Sequence, residues 1–147
     1  MSLASFLTQM PYARHLGIEV TEADDGYAEG RLSLEREHSS VPGGGVAHGG
    51  VAYSLADTVG GAAVMSLHWA PTPTVDMRMD YLAPGTDDLV AEADVIRNGD
   101  SVAVATVTVR DVTGTHVADA RGVFKTGQPD GGSAWDGDHL GSVADED

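Results

Sequence analysis

Two places in this chain could do chemistry together, and they lie nine residues apart. The first is His48-Gly49-Gly50, where a glycine-rich loop gives way to a long apolar run. Glycines there let a partner approach the backbone closely. The first turn of a helix also carries unpaired N–H groups and the positive end of the helix dipole. Together these can hold a carbonyl oxygen and stabilise the oxyanion formed when that carbonyl is attacked. A plain flexible entry into a helix would have the same composition. The second place is Asp57, the one acid between Gly50 and Trp69. A carboxylate among apolar residues is costly to bury or has its pKa pushed upward, and such groups are often functional. A helix end or a nearby serine could equally satisfy it.

Spacing decides how the two could meet. On a helix, nine residues are about 13.5 Å of rise and about 900° of turn, so His48 and Asp57 point to opposite sides. One chain cannot easily bring both to one carbonyl. Two chains packed helix to helix and antiparallel could, one giving the oxyanion donors and the other the carboxylate. If both features are functional, the spacing implies a dimer with two shared sites.

The elements that must position these residues can be read from the pattern. Residues 2–10 could form a short helix, interrupted by Pro11. His15–Val20 is a strand candidate, Asp24-Asp25-Gly26 an acidic turn, and Tyr27–Leu34 a second, alternating strand. Residues 36–47 read as a loop with little that could pack. The apolar run from Gly50 to Trp69 is long enough for a helix that must be enclosed nearly all round, and Pro71 and Pro73 stop it. Four β-rich segments follow: Thr74–Leu82, Asp88–Arg97, Ser101–Asp111 and Thr115–Thr126. Asn98-Gly99 signals a hairpin and Val112-Thr113-Gly114 another turn. Ser101–Asp111 is apolar or β-branched on both faces, which suits a central strand. Two strands, a long buried helix and four strands make an α+β domain over 1–126, one antiparallel sheet wrapped around one central helix. The acidic segment 127–147 lacks periodicity and is expected to be a disordered tail.

At this point the residues resemble a known family. His48-Gly49-Gly50-Val51-Ala52-Tyr53-Ser54-Leu55-Ala56-Asp57 is similar to the H-G-G-x-x-x-x-L-x-D signature of hotdog-fold thioesterases of the phenylacetic-acid-degradation (PaaI) type. Thr74–Pro84 resembles that family's strand after the central helix. The hairpin Arg97-Asn98-Gly99-Asp100 and the strand ending Arg121-Gly122-Val123-Phe124 also fit, so the resemblance covers roughly residues 10–126. It implies a hotdog fold and hydrolysis of an aryl or medium-chain acyl-CoA to free acid and coenzyme A. The Gly49 N–H would polarise the thioester carbonyl. Asp57 of the opposite subunit would act as general base on water, or as nucleophile. Thr74 aligns with a hydroxyl residue that helps orient the water, and His48 would brace the loop or contact the thioester. Gly50, Arg97, Asn98 and Gly99 would meet substrate, the last three at the pantetheine or nucleotide, although Arg97 also suits a plain hairpin charge. Two protomers would join edge to edge into one continuous sheet, and dimers could pair into a tetramer. The chain departs from the family in one place: Pro42 stands where members often carry an Asn six residues before the motif histidine, with Ser39 or Ser40 as substitutes in a longer loop.

Composition limits the rivals. The chain carries 23 acidic and 8 basic residues, a formal charge of −15, with Lys125 its one lysine. Such a surface repels nucleic acid and anionic membranes, and it suits high salt, where screening acts within about 3 Å at 1 M. A halophilic archaeal source is the expectation. There is no cysteine, which excludes disulfides, zinc thiolates and a cysteine nucleophile. The histidines show no metal-ligand spacing, so neither a metal nor a cofactor is expected. No run of eighteen apolar residues and no basic, apolar leader stand at the start, so a cytoplasmic location is expected. Asp76, Arg78 and Asp80 should share one strand face, as a solvated or ion-paired row. Met65, Met77 and Met79 suit core or acyl-pocket lining. Two other activities fit less well: a hydratase or dehydratase on acyl thioesters, pairing His48 with Asp57, and a non-catalytic acyl-CoA binding module.

Overall fold

A computed structural model describes residues 1–127. In chain order it contains α1 (Leu3–Thr8), α2 (Pro11–Leu16), β1 (Ile18–Asp24), β2 (Tyr27–Leu32), a 3-10 turn at Arg36–His38, α3 (Gly49–His68), β3 (Thr74–Tyr81), β4 (Leu89–Asn98), β5 (Val102–Asp111) and β6 (His116–Lys125). The expected acidic tail lies, beyond Gly127, outside the described residues. The strands form one sheet in the order β1-β2-β4-β5-β6-β3, with every neighbouring pair antiparallel. This is the α+β hotdog arrangement expected from the sequence, a sheet wrapped on one long helix.

The helix sits close to the sheet because the residues between them are small. Leu55, Ala56, Val59 and Ala63 of α3 meet Ala91, Ala93, Ala105 and Val107 of the sheet, all buried. Gly30 of β2 completes the fit: a Cβ there would lie 2.6 Å from Val59 Cγ2. Each fully buried aliphatic side chain of this core contributes roughly 1.5–3 kcal/mol over exposure. β5 is interior, as expected, with Ala103, Ala105, Val107 and Val109 buried on the helix side. Its other face is partly open, with Thr106 and Arg110 exposed.

Three expectations need correction. Pro11 does not merely interrupt a helix; it opens a second one, α2, at the position where a missing N–H costs nothing. His15 and Leu16 therefore belong to α2, which ends at Gly17 with φ 79°, and the first strand starts at Ile18. The central helix is also not enclosed all round. Its sheet side is buried, but Tyr53 is exposed and Ser54, Asp57 and Thr58 are half-buried. One sheet and two short helices do not supply enough surface to cover α3 completely.

The two sheet edges differ. On β1, Thr8 of α1 meets the edge: its hydroxyl accepts from Val20 N (3.0 Å) and donates to Ala4 O (2.9 Å), with Val20 O further off at 3.3 Å. A register shift between Val20 and Glu22 bends the same strand. On β3, only Met77 is buried. A register shift between Thr74 and Asp76 turns Thr74 toward α3 although Asp76, Arg78 and Asp80 face away from it. That outer row is exposed, as expected, and Arg78 pairs with Asp80 at 3.3 Å.

Candidate active site

The start of α3 is fixed by three contacts. His48 is the N-cap, and its Nδ1 accepts from Gly50 N at 2.8 Å. The His48 N–H donates to the His38 carbonyl at 2.8 Å. The Tyr81 hydroxyl donates to the Gly49 carbonyl at 2.7 Å. Among the described residues no acceptor meets the Gly49 N–H, which stays available in the first turn. The Gly50 N–H is taken by the histidine ring, so Gly49 is the better donor of the pair. Gly49 has little room to change: a Cβ would lie 3.3 Å from the Tyr81 ring. Burial, and then the neighbouring Tyr53, push the Tyr81 phenol above its ordinary pKa, which keeps it a donor.

His38 and Tyr81 adjoin this segment, and the residue pattern did not single them out. His38 is 4% exposed. Its Nδ1 accepts from Glu35 N at 2.9 Å and its Nε2 faces the Leu16 carbonyl at 2.8 Å. A carbonyl can only accept, so Nε2 carries the proton and the ring is neutral. It ties α2 and the 3-10 turn to the loop that carries His48. Tyr81 could have been found by alternation, because it falls on the strand face opposite Asp76, Arg78 and Asp80. Nothing in the spacing marks His38.

Asp57 lies two turns further along α3, about 12 Å from Gly49 by helical rise. It is not unpaired: the Thr74 hydroxyl donates to its Oδ1 at 2.7 Å. The structure thus brings Thr74 to Asp57. Both line a cavity of about 540 Å³ whose walls are mainly apolar, among them Leu3, Phe6, Met65, Trp69 and Phe124. Met65 is therefore pocket lining, while Met77 belongs to the core. Trp69 closes α3 in the left-handed region, φ 52°, and is 73% exposed.

The His48–Gly50 segment is not in that cavity. Gly49 lines a separate one of about 350 Å³ with Ala47, Tyr81, Pro84 and Val117. Arg97, Asn98 and Gly99 lie outside both, at the β4–β5 hairpin near the end of α3. There Asn98 Oδ1 meets His68 Nε2 at 2.5 Å and the Gly99 N–H donates to Val102 O at 2.9 Å. Pro42, at the family's Asn position, is exposed in a loop that Ser39 holds by accepting from Val41 N (3.1 Å) and Val46 N (3.4 Å). Ser40 donates to Val46 O at 3.4 Å. Among the described residues no group of three His, Asp or Glu could hold a metal ion, and no helix is long and apolar enough to cross a membrane.

Chemically, one flank offers a carboxylate steadied by a hydroxyl beside apolar walls. The other offers a preorganised N–H. A carboxylate and a polarising amide around one carbonyl can drive water addition to it.

Residues 44–118 match the Thioesterase superfamily. A candidate esterase of Halobacterium salinarum is 38% identical over 126 residues, covering 78% of this chain and 83% of that protein. The medium/long-chain acyl-CoA thioesterase YigI of Escherichia coli is 26% identical over 140 residues, covering 83% and 89%. The structure of the E. coli PaaI protein from the phenylacetic acid degradation operon superposes with a TM-score of 0.75 over 85% of this chain and 96% of that one. At 24% identity, that likeness is one of fold.

Proposed function

This chain belongs to the thioesterase superfamily, and on that premise we propose that it hydrolyses an acyl-CoA thioester to the free acid and coenzyme A, at a site shared by two subunits. Within the superfamily, the His48–Asp57 motif favours the PaaI-like branch. The observation that carries the reading is the Thr74–Asp57 hydrogen bond on the wall of the apolar cavity. Thr74 occupies Oδ1, which leaves Oδ2 for a water. Asp57 takes a proton from that water as its oxygen attacks the thioester carbon. The carbonyl electrons move to oxygen, held by the partner subunit's Gly49 N–H. Collapse re-forms the carbonyl and breaks the C–S bond, and the thiolate recovers the proton from Asp57. A thiolate leaves readily, so no strong acid is needed.

The acyl chain, aryl or medium-length, fills the cavity beside Asp57, whose 540 Å³ lies within the usual range of small-molecule pockets, roughly 300–1,000 Å³. The YigI relatives carry a medium/long-chain name, which supports the same range. His48 braces the loop through its ring, and Gly50, without a side chain, keeps the approach open. Arg97, Asn98 and Gly99 meet the pantetheine or nucleotide, and dimers pair into a tetramer. The subunit arrangement is supported by the placement of Asp57 and Gly49 in different cavities of one chain. The acidic surface and the Halobacterium relative support a salt-loving source, so assays belong in molar KCl.

Asp57→Asn tests the reading. It should retain fold and dimer, yet lose thiol release from acyl-CoA by roughly 10²–10⁴-fold in a colorimetric assay, the range for a lost general base. Full activity in this variant removes Asp57 from the mechanism.

A further inference from the structure

Gly61 is a residue of α3 that packing does not explain. Two glycines stand side by side in the middle of that helix, where glycine is a poor helix former. The core accounts for Gly60: a Cβ on it would lie 3.2 Å from Phe124 Cζ and 3.3 Å from Val107 Cγ2. Gly61 is under no such constraint. Outside its own helix, a Cβ there would come within 4 Å of one atom, Phe124 Cε1 at 3.5 Å, which is an ordinary contact. Alanine would fit, and it would hold the helix better. In front of Gly61 lies the apolar cavity beside Asp57. We propose that Gly61 is a specificity residue: its missing side chain is the passage by which an acyl chain gets beyond Asp57 and lies lengthwise along α3. This rests on the acyl-CoA reading and names the residue that decides which acyl groups enter.

Helical spacing gives the cavity its long axis. Asp57, Gly61, Met65 and Trp69 recur every four residues, so they follow one slanting ridge of the helix, and all four line the cavity. From the first to the last is about 18 Å of rise, and from Asp57 to Gly61 about 6 Å. The facing wall runs the same distance in reverse. From Trp69 at the helix end, the chain must return within five residues to Thr74, which bonds Asp57. Five residues reach at most about 17 Å, so this stretch is drawn out nearly straight, and Pro71 and Pro73 favour that form. Leu3 and Phe6 of α1 close another side. The space is a trough, long in one direction, and it suits an extended acyl chain.

The direction of side chains on a helix makes Gly61 its narrowest control. Cα–Cβ bonds tilt toward the helix N-terminus. A side chain on residue 61 would therefore lean back over the space beside Asp57, where the first carbons of the acyl group must sit. Met65, one turn further on, is unbranched and can adapt to what lies against it. A methyl group at 61 could not turn aside.

Thiol release from butanoyl-CoA and dodecanoyl-CoA, with the full chain in molar KCl, tests the assignment. Gly61→Ala should melt about 2–4 °C above the wild type, because alanine suits the helix. It should also lower kcat/KM for dodecanoyl-CoA relative to butanoyl-CoA by roughly tenfold, the worth of one methylene in an apolar pocket. Gly61→Leu should lower the same ratio by roughly a hundredfold. A glycine with a merely structural role would not couple a firmer fold to a poorer long-chain substrate. Equal losses on both substrates, or an unchanged ratio, overturn the assignment. Binding without turnover gives a second reading. With Trp135→Phe, Trp69 is the one tryptophan left, and it stands 73% exposed at the far end of the trough. The thioether dodecyl-CoA, which cannot be hydrolysed, should move its emission to shorter wavelength. Butyl-CoA should not, and Gly61→Leu should abolish the shift. Dodecyl-CoA that binds without moving that emission overturns the lengthwise placement. A wild type that releases thiol from no acyl-CoA overturns the proposed activity and this inference with it, whereas thiol release with an insensitive ratio overturns this inference alone.

Discussion

The two flanks of α3 are built from opposite materials. The Gly49 flank is mostly backbone, held by a histidine ring, a carbonyl and a phenol. The Asp57 flank is mostly side chain, one carboxylate and one hydroxyl against Leu, Phe, Met and Trp. The contrast fits the role proposed for each. A donor aimed at a developing oxyanion works only if it does not reorganise, and the backbone of a capped helix is the most rigid donor available. A base that must also accept an acyl chain needs apolar surroundings and a single fixed polar contact. One helix carries both, but some 12 Å apart, so in the proposed mechanism each flank supplies half of a site.

Three substitutions separate the contributions of the flanks. The largest effect is expected from Gly49→Val, which forces a branched side chain into a space where even a Cβ meets Tyr81 at 3.3 Å. Displacing the donor should lower kcat by roughly 10²–10³-fold, as for removal of an oxyanion contact, while Asp57 and its cavity stay intact. Unchanged kcat would mean that this amide does not polarise the carbonyl. Next, Thr74→Val keeps the shape but removes the hydroxyl from Asp57. The expected cost is about tenfold in kcat with little change in KM, because one hydrogen bond to a charged group is lost. A pure KM effect would reassign Thr74 to substrate binding.

The smallest effect belongs to Tyr81→Phe, about threefold in kcat for one neutral hydrogen bond. It also carries a pH signature. The folded-state pKa of Tyr81 is raised above 10.0 by burial and by Tyr53. Its contribution to stability is therefore complete below pH 10 and is lost as pH climbs through the higher folded value. Thermal melts of the wild type should decline above pH 10, and Tyr81→Phe should flatten part of that decline. Identical alkaline profiles would remove the hydroxyl from the loop's support.

Much of this was legible in the residues, for identifiable reasons. The run Gly50–Trp69 could be read as one helix because its length and flanking prolines leave no other fit. Thr74 was legible only through the family resemblance. Simple alternation would have placed it with Asp76 and Arg78 on the outer face, and only the bulge turns it toward Asp57. The extent of burial around Asp57 was misread, because an apolar helix announces that it will be covered but not by what. His38 escaped altogether: its three partners, Leu16, Glu35 and His48, converge only after two helices and a loop have folded.

The blocked β1 edge has a consequence for the state of the protein at high concentration. A sheet with two open margins can add copies without limit and grow into a fibre, but here Thr8 ties up Val20 N on one margin and a bulge bends that strand. Strand addition through β3 uses up the other in a single step. Any assembly made that way stops at two chains, leaving no growing end, a useful property for a chain whose strands are rich in valine and alanine.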